Sequence, residues 1–322
     1  MTFTRDNVAA RRVAQLVGIA GIIVGAVAVV ATFQSEPINI LIALASFVPL
    51  LILGTVVGLV VSAVFRRWVL AAISAVLVAV VAAVVAPLYV ASGEALDGPS
   101  LRIMQANLLF GEADPASVVG TARERKVDVL TVQELTGSLA DAMTDLGLNE
   151  LLPYQYLIPN DAGGGGAGIY SRFPLTDMRE LDGFGPTNLI ARVDAETPFT
   201  VVAVHPGPAY ITPPDVWTTE LDTLRTSLAE LAGTGEPVVV SGDFNTTYLH
   251  KQFRDLLDAG YSDAADQLGA GIVPTYPTDK GIPAVVGIDH VLTRHARATS
   301  MDRITIEDSD HHGLIVDVTL PS

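Results

Sequence analysis

Apolar residues fall along this chain in two regimes. Before about residue 96 they form long uncharged runs; beyond it they form short runs broken by polar clusters. Val13–Ala31, Ile38–Phe65 and Trp68–Val90 contain no Asp, Glu, Lys or Arg. Each reaches the roughly 18 residues that a membrane-spanning helix needs. A secretory signal would be a single, shorter apolar core followed by a cleavage site. The pattern therefore predicts three transmembrane helices, about 13–33, 38–65 and 68–91, in a membrane domain of residues 1–96.

Residues 97–322 read differently and, by length, as one further domain. "ALDGPS" (95–100) is a linker, and "LRIMQANLL" (101–109) a buried strand. Asp114-Pro115 has the form of an N-cap followed by Pro at the first helical position, starting a helix to about Arg125. "VDVLTVQEL" (127–135) predicts a strand and "TGSLADAMTDLGL" a helix. "GAGIYSRFPL" and "LIARVDAETPFTVVAVHPG" predict strands joined by a hairpin-type connection. Residues 214–231 have helical period, and a strand ending at Ser241 follows. A short helix over about 249–258 precedes the last strands, in "GIDHVLTR" and "HGLIVDVTL". Strands alternating with helices, with some strands directly adjacent, predict an α/β domain with mixed sheets. The glycines 163–166 precede no helix and read as a loop, not a phosphate cradle.

Composition and charge sharpen this division. The chain of 322 residues is 50% hydrophobic and only 17% charged, with a mean hydropathy of +0.44. Soluble domains carry about 25% charged residues. Of 19 Lys and Arg and 35 Asp and Glu, five and three lie in residues 1–96, leaving 14 against 32 in the second domain, a formal charge of −18. Phosphate-backbone binding draws on clustered Lys and Arg, so this domain is poorly suited to gripping nucleic acid. Arg5, Arg11 and Arg12 precede the first span, Arg66-Arg67 separate the second and third, and "QSEP" between the first two has no cation. The positive-inside rule then puts the N-terminus in the cytoplasm and everything after Val90 outside the cytoplasmic membrane. The absence of cysteine is compatible with that location.

Polar residues recur where the apolar segments of the second domain end. Asn107, Glu134, His205, Asp243, Asn245, Asp289 and Asp310-His311 all stand at such positions. In "EPVVVSGDFN", Asp243 and Asn245 are two apart, which on an extended segment points both the same way. Singly each is an ordinary turn or cap residue. Together they suit metal-assisted phosphoester hydrolysis. Magnesium takes oxygen ligands, and hydrolysis needs an acid and a base, a role His fills near neutral pH.

The motifs "ANLL", "QE", "GIYSR", "VHP", "GDFN", "IDHVL" and "SDHHGLIV", in this order over residues 101–320, resemble the endonuclease/exonuclease/phosphatase superfamily. That resemblance implies a four-layer α/β sandwich of two packed mixed β-sheets, here preceded by three transmembrane helices, as in a membrane-anchored bacterial branch. It implies Glu134 as the principal Mg²⁺ ligand (or Mn²⁺), with Asn107 and Asp310 contributing. His311, oriented by Asp289, would be the base; His205 would touch the scissile phosphate and act as acid. Asp243 and Asn245 would position water and phosphate, and the resemblance leaves the base open between His311 and Asp243. Asn107, His205 and Asn245 would contact substrate, and His312 has no implied role beyond structure. The reading that follows is a membrane-anchored, metal-dependent phosphoesterase whose substrate, a phosphomonoester or phosphodiester, could be lipid-linked. The alternatives are an exported nuclease and a non-catalytic membrane scaffold, the last having no use for the complete polar set.

Overall fold

The computed structural model describes residues 3–322, with side chains from Val8 onward; the Arg5 side chain, counted above for orientation, lies outside the described residues. Two compact units divide the chain, Met1–Pro87 with Leu249–Lys251, and Leu88–Tyr248 with Gln252–Ser322.

The first unit is helical: α1 Phe3–Phe33, α2 Asn39–Ser46, α3 Val48–Val64 and α4 Trp68–Val85. Val8–Phe33 and Trp68–Tyr89 are long and apolar enough to cross a membrane, and α2 with α3 makes a third candidate if that pair is one span. The run 38–65, expected as one helix, is two helices bent by 77°. The break lies at Phe47, just ahead of Pro49 in the first turn of α3. Proline has no N–H for the fourth carbonyl back and its ring crowds that carbonyl, so a helix starts at it more readily than it passes through. α1 packs on α3 through small residues. A Cβ on Gly21 would fall 2.8 Å from the Gly58 Cα, an approach that only glycine permits, and Gly18 and Gly25 face Ser62 and Thr55 in the same way. Close packing of small residues is how helices associate where no hydrophobic force separates them from lipid.

The second unit runs β1 Ser100–Asn107, α5 Pro115–Glu124, β2 Val129–Gln133, α6 Gly137–Asp145, α7 Leu148–Leu151, β3 Tyr154–Ile158, β4 Ala167–Ser171, β5 Leu175–Glu180, β6 Leu189–Val193 and β7 Phe199–Val204. It continues with α8 Pro214–Ala232, β8 Val238–Asp243, α9 Lys251–Leu256, β9 Ser262–Asp263, α10 Ala264–Leu268, β10 Asp289–Arg294, β11 Arg297–Thr305 and β12 His312–Thr319. Asp114 caps α5 as its sequence predicts, accepting from the N–H groups of Ala116 and Ser117. Two six-stranded mixed sheets form, ordered β11-β12-β1-β2-β4-β3 and β5-β6-β7-β8-β10-β9.

Each sheet has one parallel pair at its centre, β1 with β2 and β7 with β8, flanked by antiparallel neighbours. The connection from β1 to β2 passes through α5, and that from β7 to β8 through α8. Ile103, Val129, Val201, Val239, Val291 and Val316 meet between the sheets. Met104, Leu130 and Tyr170 pack on the far side against α5–α7, and Val202, Val240 and Phe253 form the corresponding outer layer under α8 and α9. This is the four-layer α/β sandwich.

Side chains alternate along a strand, and the inner-facing positions change character along each central strand. On β1 they run Leu101, Ile103, then Gln105, Asn107; on β2, Val129, then Thr131, Gln133; on β8, Val239, then Ser241, Asp243. On β7, Phe199, Val201 and Ala203 lead to His205 just past the strand. The inter-sheet core is therefore apolar at one end and polar at the other. The polar end holds the carboxyl termini of both parallel pairs, where ligands of open α/β sheets bind.

Candidate active site

Cross-sheet hydrogen bonds close the polar end. Thr131 and Ser241 hydroxyls meet at 2.7 Å, and Gln105 Nε2 donates across to Asp289 Oδ1 at 2.7 Å and, within its own sheet, to Gln133 Oε1 at 2.9 Å. Asn107 Nδ2 donates to Glu134 Oε1 at 3.0 Å and Asp243 Oδ2 at 3.1 Å, bridging one carboxylate from each sheet. Its Oδ1 accepts the Leu109 N–H at 3.0 Å.

Glu134 follows Gln133, so a regular strand would send it to the outer face. Its φ of +60 ends the strand and turns its carboxylate back to Asn107, where Oε2 also accepts the Phe110 N–H at 2.7 Å. Left-handed backbone costs a side-chain-bearing residue about 1–2 kcal/mol, and such strain gathers at functional sites.

Asp243 and Asn245 do not share a strand face. Asp243 ends β8, and Asn245 lies beyond it with φ +48. A turn brings them together: the Asn245 N–H donates to Asp243 Oδ1 at 2.8 Å, and its Nδ2 to the Pro206 carbonyl at 2.9 Å. The residue that does share Asp243's face is Ser241.

Asp289 is paired with Asp243 across β10 and β8, and its Oδ2 lies 2.8 Å from His311 Nδ1. The His311 N–H donates to Ser309 Oγ at 3.1 Å, which donates to the Asn107 carbonyl at 2.8 Å. His311 Nε2 faces Asp243 Oδ2 at 3.7 Å and Asp310 Oδ1 at 3.9 Å. His205 Nε2 lies 3.8 Å from both Glu134 Oε1 and Asp243 Oδ2, while its buried Nδ1 has no hydrogen-bond partner among the described residues. All eight expected residues thus converge on one locus. His312 stands apart as the first residue of β12, its N–H donating to the Thr275 carbonyl at 2.8 Å.

Burial and charge tune these groups against one another. Burial pushes Glu134 and Asp310 above the ordinary carboxylate range, moderated at Glu134 by its bonds from Asn107 and Phe110. Burial lifts Asp243 to about 7, with the His311 charge pulling the other way. At His311 burial opposes protonation, but Asp289 and Asp243 outweigh it and raise the imidazole to about 10. Burial and the nearby His311 charge lower His205 to about 4. At neutral pH His311 is then an imidazolium and His205 neutral. The resemblance leaves the base open between His311 and Asp243 and implies His205 as acid; this charge pattern runs against His205 as acid and, of the two candidate bases, favours Asp243.

The locus gathers Glu134, Asp243, Asp289 and Asp310 around a single imidazolium. Such an excess of sequestered negative charge, made of hard oxygen donors, fits a divalent cation. Asp243, Asp289 and His311 also offer atoms within 4.8 Å of one another. Their closest pair is the Asp289–His311 hydrogen bond, and Gln105 and Asn107 already occupy carboxylate oxygens of Asp289 and Asp243. The Glu134 side chain is 13% exposed against 3% for Asp243, so Glu134 and Asp310 are the more accessible oxygens.

Sequence reasoning missed Gln105, although it stands two residues before Asn107 on the same face. It also missed the supports of the His205 loop. The Asn188 side chain pairs with the His205 backbone, accepting its N–H at 2.6 Å. The buried Glu220 on α8 accepts the N–H groups of Gly185 at 2.8 Å and Gly207 at 2.6 Å. Neither residue has a local sequence signal.

A family model described as "Endonuclease/Exonuclease/phosphatase family" matches residues 104–311. Among curated proteins none matches the sequence. An endonuclease/exonuclease/phosphatase family protein from Bacteroides thetaiotaomicron superposes with a TM-score of 0.56 at 15% identity, over 70% of this chain and 100% of that one. D. rerio TDP2, solved with a single-strand DNA product, gives 0.54 at 16% identity over 68% and 99% of the two chains. A mannosyl-6-phosphatase of Bacteroides thetaiotaomicron gives 0.53 at 16% over 68% and 100%. At these identities the likeness is one of fold.

Proposed function

Because the chain belongs to the endonuclease/exonuclease/phosphatase family, whose members are hydrolases of phosphoester bonds, we propose that it is a membrane-anchored, Mg²⁺-dependent phosphoesterase acting outside the cytoplasmic membrane. The observation that carries the reading is the convergence of Asn107, Glu134, His205, Asp243, Asn245, Asp289, Asp310 and His311 at one end of the sandwich.

Glu134, Asn107 and Asp310 are the residues that would hold Mg²⁺ or Mn²⁺. When bound, the cation supplies positive charge to the phosphoryl oxygens and offsets their repulsion from the carboxylates. Asp243 is the group whose protonation changes near neutrality, so in its ionised form it takes a proton from the attacking water. The Asn245 N–H fixes the other oxygen of that carboxylate. The water oxygen bonds to phosphorus as the ester P–O bond breaks, and the leaving oxygen recovers a proton. The His311 imidazolium, held by Asp289, is the acid and charge stabiliser within reach. His205, neutral, directs a ring nitrogen at the same space and contacts the phosphoryl group by hydrogen bonding.

The test is hydrolysis by the full chain in lipid nanodiscs of phosphomonoester, phosphodiester, phospholipid and nucleic-acid substrates. Turnover that saturates with Mg²⁺ and is abolished by chelation is expected; no turnover of any substrate with Mg²⁺ or Mn²⁺ would overturn the reading. The external placement takes α2 and α3 together as one span, giving three crossings, and puts the arginines on the cytoplasmic side by the positive-inside rule. A reporter fused after Ser322 should be active only on the exported side, and cytoplasmic accessibility would overturn that part. Nuclease action is the alternative, disfavoured by the formal charge of −18 on residues 97–322.

A further inference from the structure

Around the carboxylate floor the loops turn apolar. Phe110 follows β1, and its backbone N–H is the one that meets Glu134. Tyr210 and Ile211, between β7 and α8, are 77% and 70% exposed. Tyr210's phenol ionises less readily than usual through its partial burial, then through the charges of Glu134, Asp310 and Asp243. Tyr276 lays its ring against His311, with centroids 4.8 Å apart. The Val285 N–H donates to the Tyr276 carbonyl at 2.9 Å, and exposed Ile282 lies on the same loop. Phe110 and Tyr276 thus stand at the mouth, and the exposed Tyr210, Ile211 and Ile282 lie on the loops that continue from His205 and from Tyr276. On the sheets and outer helices such residues come singly, as at Leu146, Tyr154 and Met178, and single ones need no explanation.

During turnover this rim is covered by whatever the phosphoryl group is attached to. A polyanion would want cations there, yet Lys280, the cation felt by Tyr210 and Asp310, is already paired with Asp279. Nucleobases would stack on the aromatic rings, but Ile211, Ile282 and Val285 have no π-face to offer. Aliphatic side chains beside aromatic ones fit a flexible hydrocarbon. We propose that the rim is a subsite for an aliphatic chain, so that the preferred substrate is an amphiphilic phosphoester with an acyl- or prenyl-type group near its phosphate. This deepens the phosphoesterase reading and rests on it.

The test uses non-hydrolysable n-alkylphosphonates of two to eight carbons, titrated calorimetrically with Mg²⁺ into the full chain in nanodiscs, with empty discs as blank. A fully buried methylene is worth up to about fourfold in affinity. On an open rim about twofold per methylene is expected, roughly 60-fold from ethyl to octyl. Ile211→Ser with Ile282→Ser should flatten that slope. Equal affinity for all lengths in the unaltered chain would overturn the inference without any variant. Tighter binding of oligothymidylate than of octylphosphonate would also overturn it and favour a nucleic acid. Hydrolysis of p-nitrophenyl phosphate or bis(p-nitrophenyl) phosphate, one monoester and one diester, in the same sample separates the two layers. Hydrolysis with a flat slope removes the subsite alone, whereas a slope without hydrolysis supports the subsite and removes the phosphoesterase reading.

Discussion

The two sheets are built alike and furnish the site differently. Each has a parallel pair joined through a helix and presents polar residues at its carboxyl end. The sheet of β1 and β2 contributes Asn107, Glu134 and the Asp310-His311 turn, with both carboxylates partly open to the mouth. The sheet of β7 and β8 contributes His205, Asp243 and Asp289, all buried. The accessible oxygens suit cation binding, and the buried groups, tuned by desolvation, suit proton handling. His311 joins the halves, since it precedes β12 of one sheet while Asp289 of the other holds its ring. In the proposed mechanism, duplicated scaffolding carries a division of labour.

That division can be broken by substitution. The largest effect is expected from Asp243→Asn, a fall in kcat on the order of 10³–10⁴ at saturating Mg²⁺ with little change in the Mg²⁺ concentration needed. Glu134→Gln should lower kcat by about 10² and raise the half-saturating Mg²⁺ concentration about tenfold or more. If Asp243→Asn shifted the metal requirement as far as Glu134→Gln, the halves would not differ in role. His311→Ala is expected to cost about 10² in turnover, and full activity in that variant would remove His311 from the chemistry.

pH sharpens the comparison. A base must be deprotonated, and Asp243 is so above its pKa, which burial lifts to about 7. A bound cation can only favour the ionised form, so the acidic limb of the kcat profile should fall at or below about 7 and vanish in Asp243→Asn. Asp289 and Asp243 raise His311 and a bound cation opposes them, so an acidic limb that persists in Asp243→Asn and is lost in His311→Ala would instead make His311 the base. The smallest effect is expected from Thr131→Val, which leaves the buried Ser241 hydroxyl without its partner. That should cost about 1–3 kcal/mol in denaturant unfolding while kcat falls less than about tenfold.

Legibility in the sequence followed burial. β8 was readable because Val238, Val239 and Val240 are covered on both faces and end in a polar turn. β3 and β11 were not read at all, and β5 was seen only at its start. These are edge strands, exposed along much of their length, in which Met178 and Asp302 dilute any apolar alternation. The site residues were legible because each stops an apolar run. Asn188 and Glu220 do not, and what they support, the backbone around His205, is close only in the fold. The break at Phe47 had its signal in Pro49, overridden by the unbroken hydropathy around it.

The left-handed backbone of Glu134 sets a limit on improving this protein. Glycine at 134 would relieve about 1 kcal/mol of strain, roughly 2–4 °C in the melting of a domain this size, while removing one of the site's two accessible carboxylates. A selection for heat resistance that ignored turnover would be drawn to that position and, in the proposed mechanism, discard a ligand of the cation. Thermal robustness and catalytic competence compete here at a single residue, so any hardening of the fold must be sought away from the ends of the parallel strands.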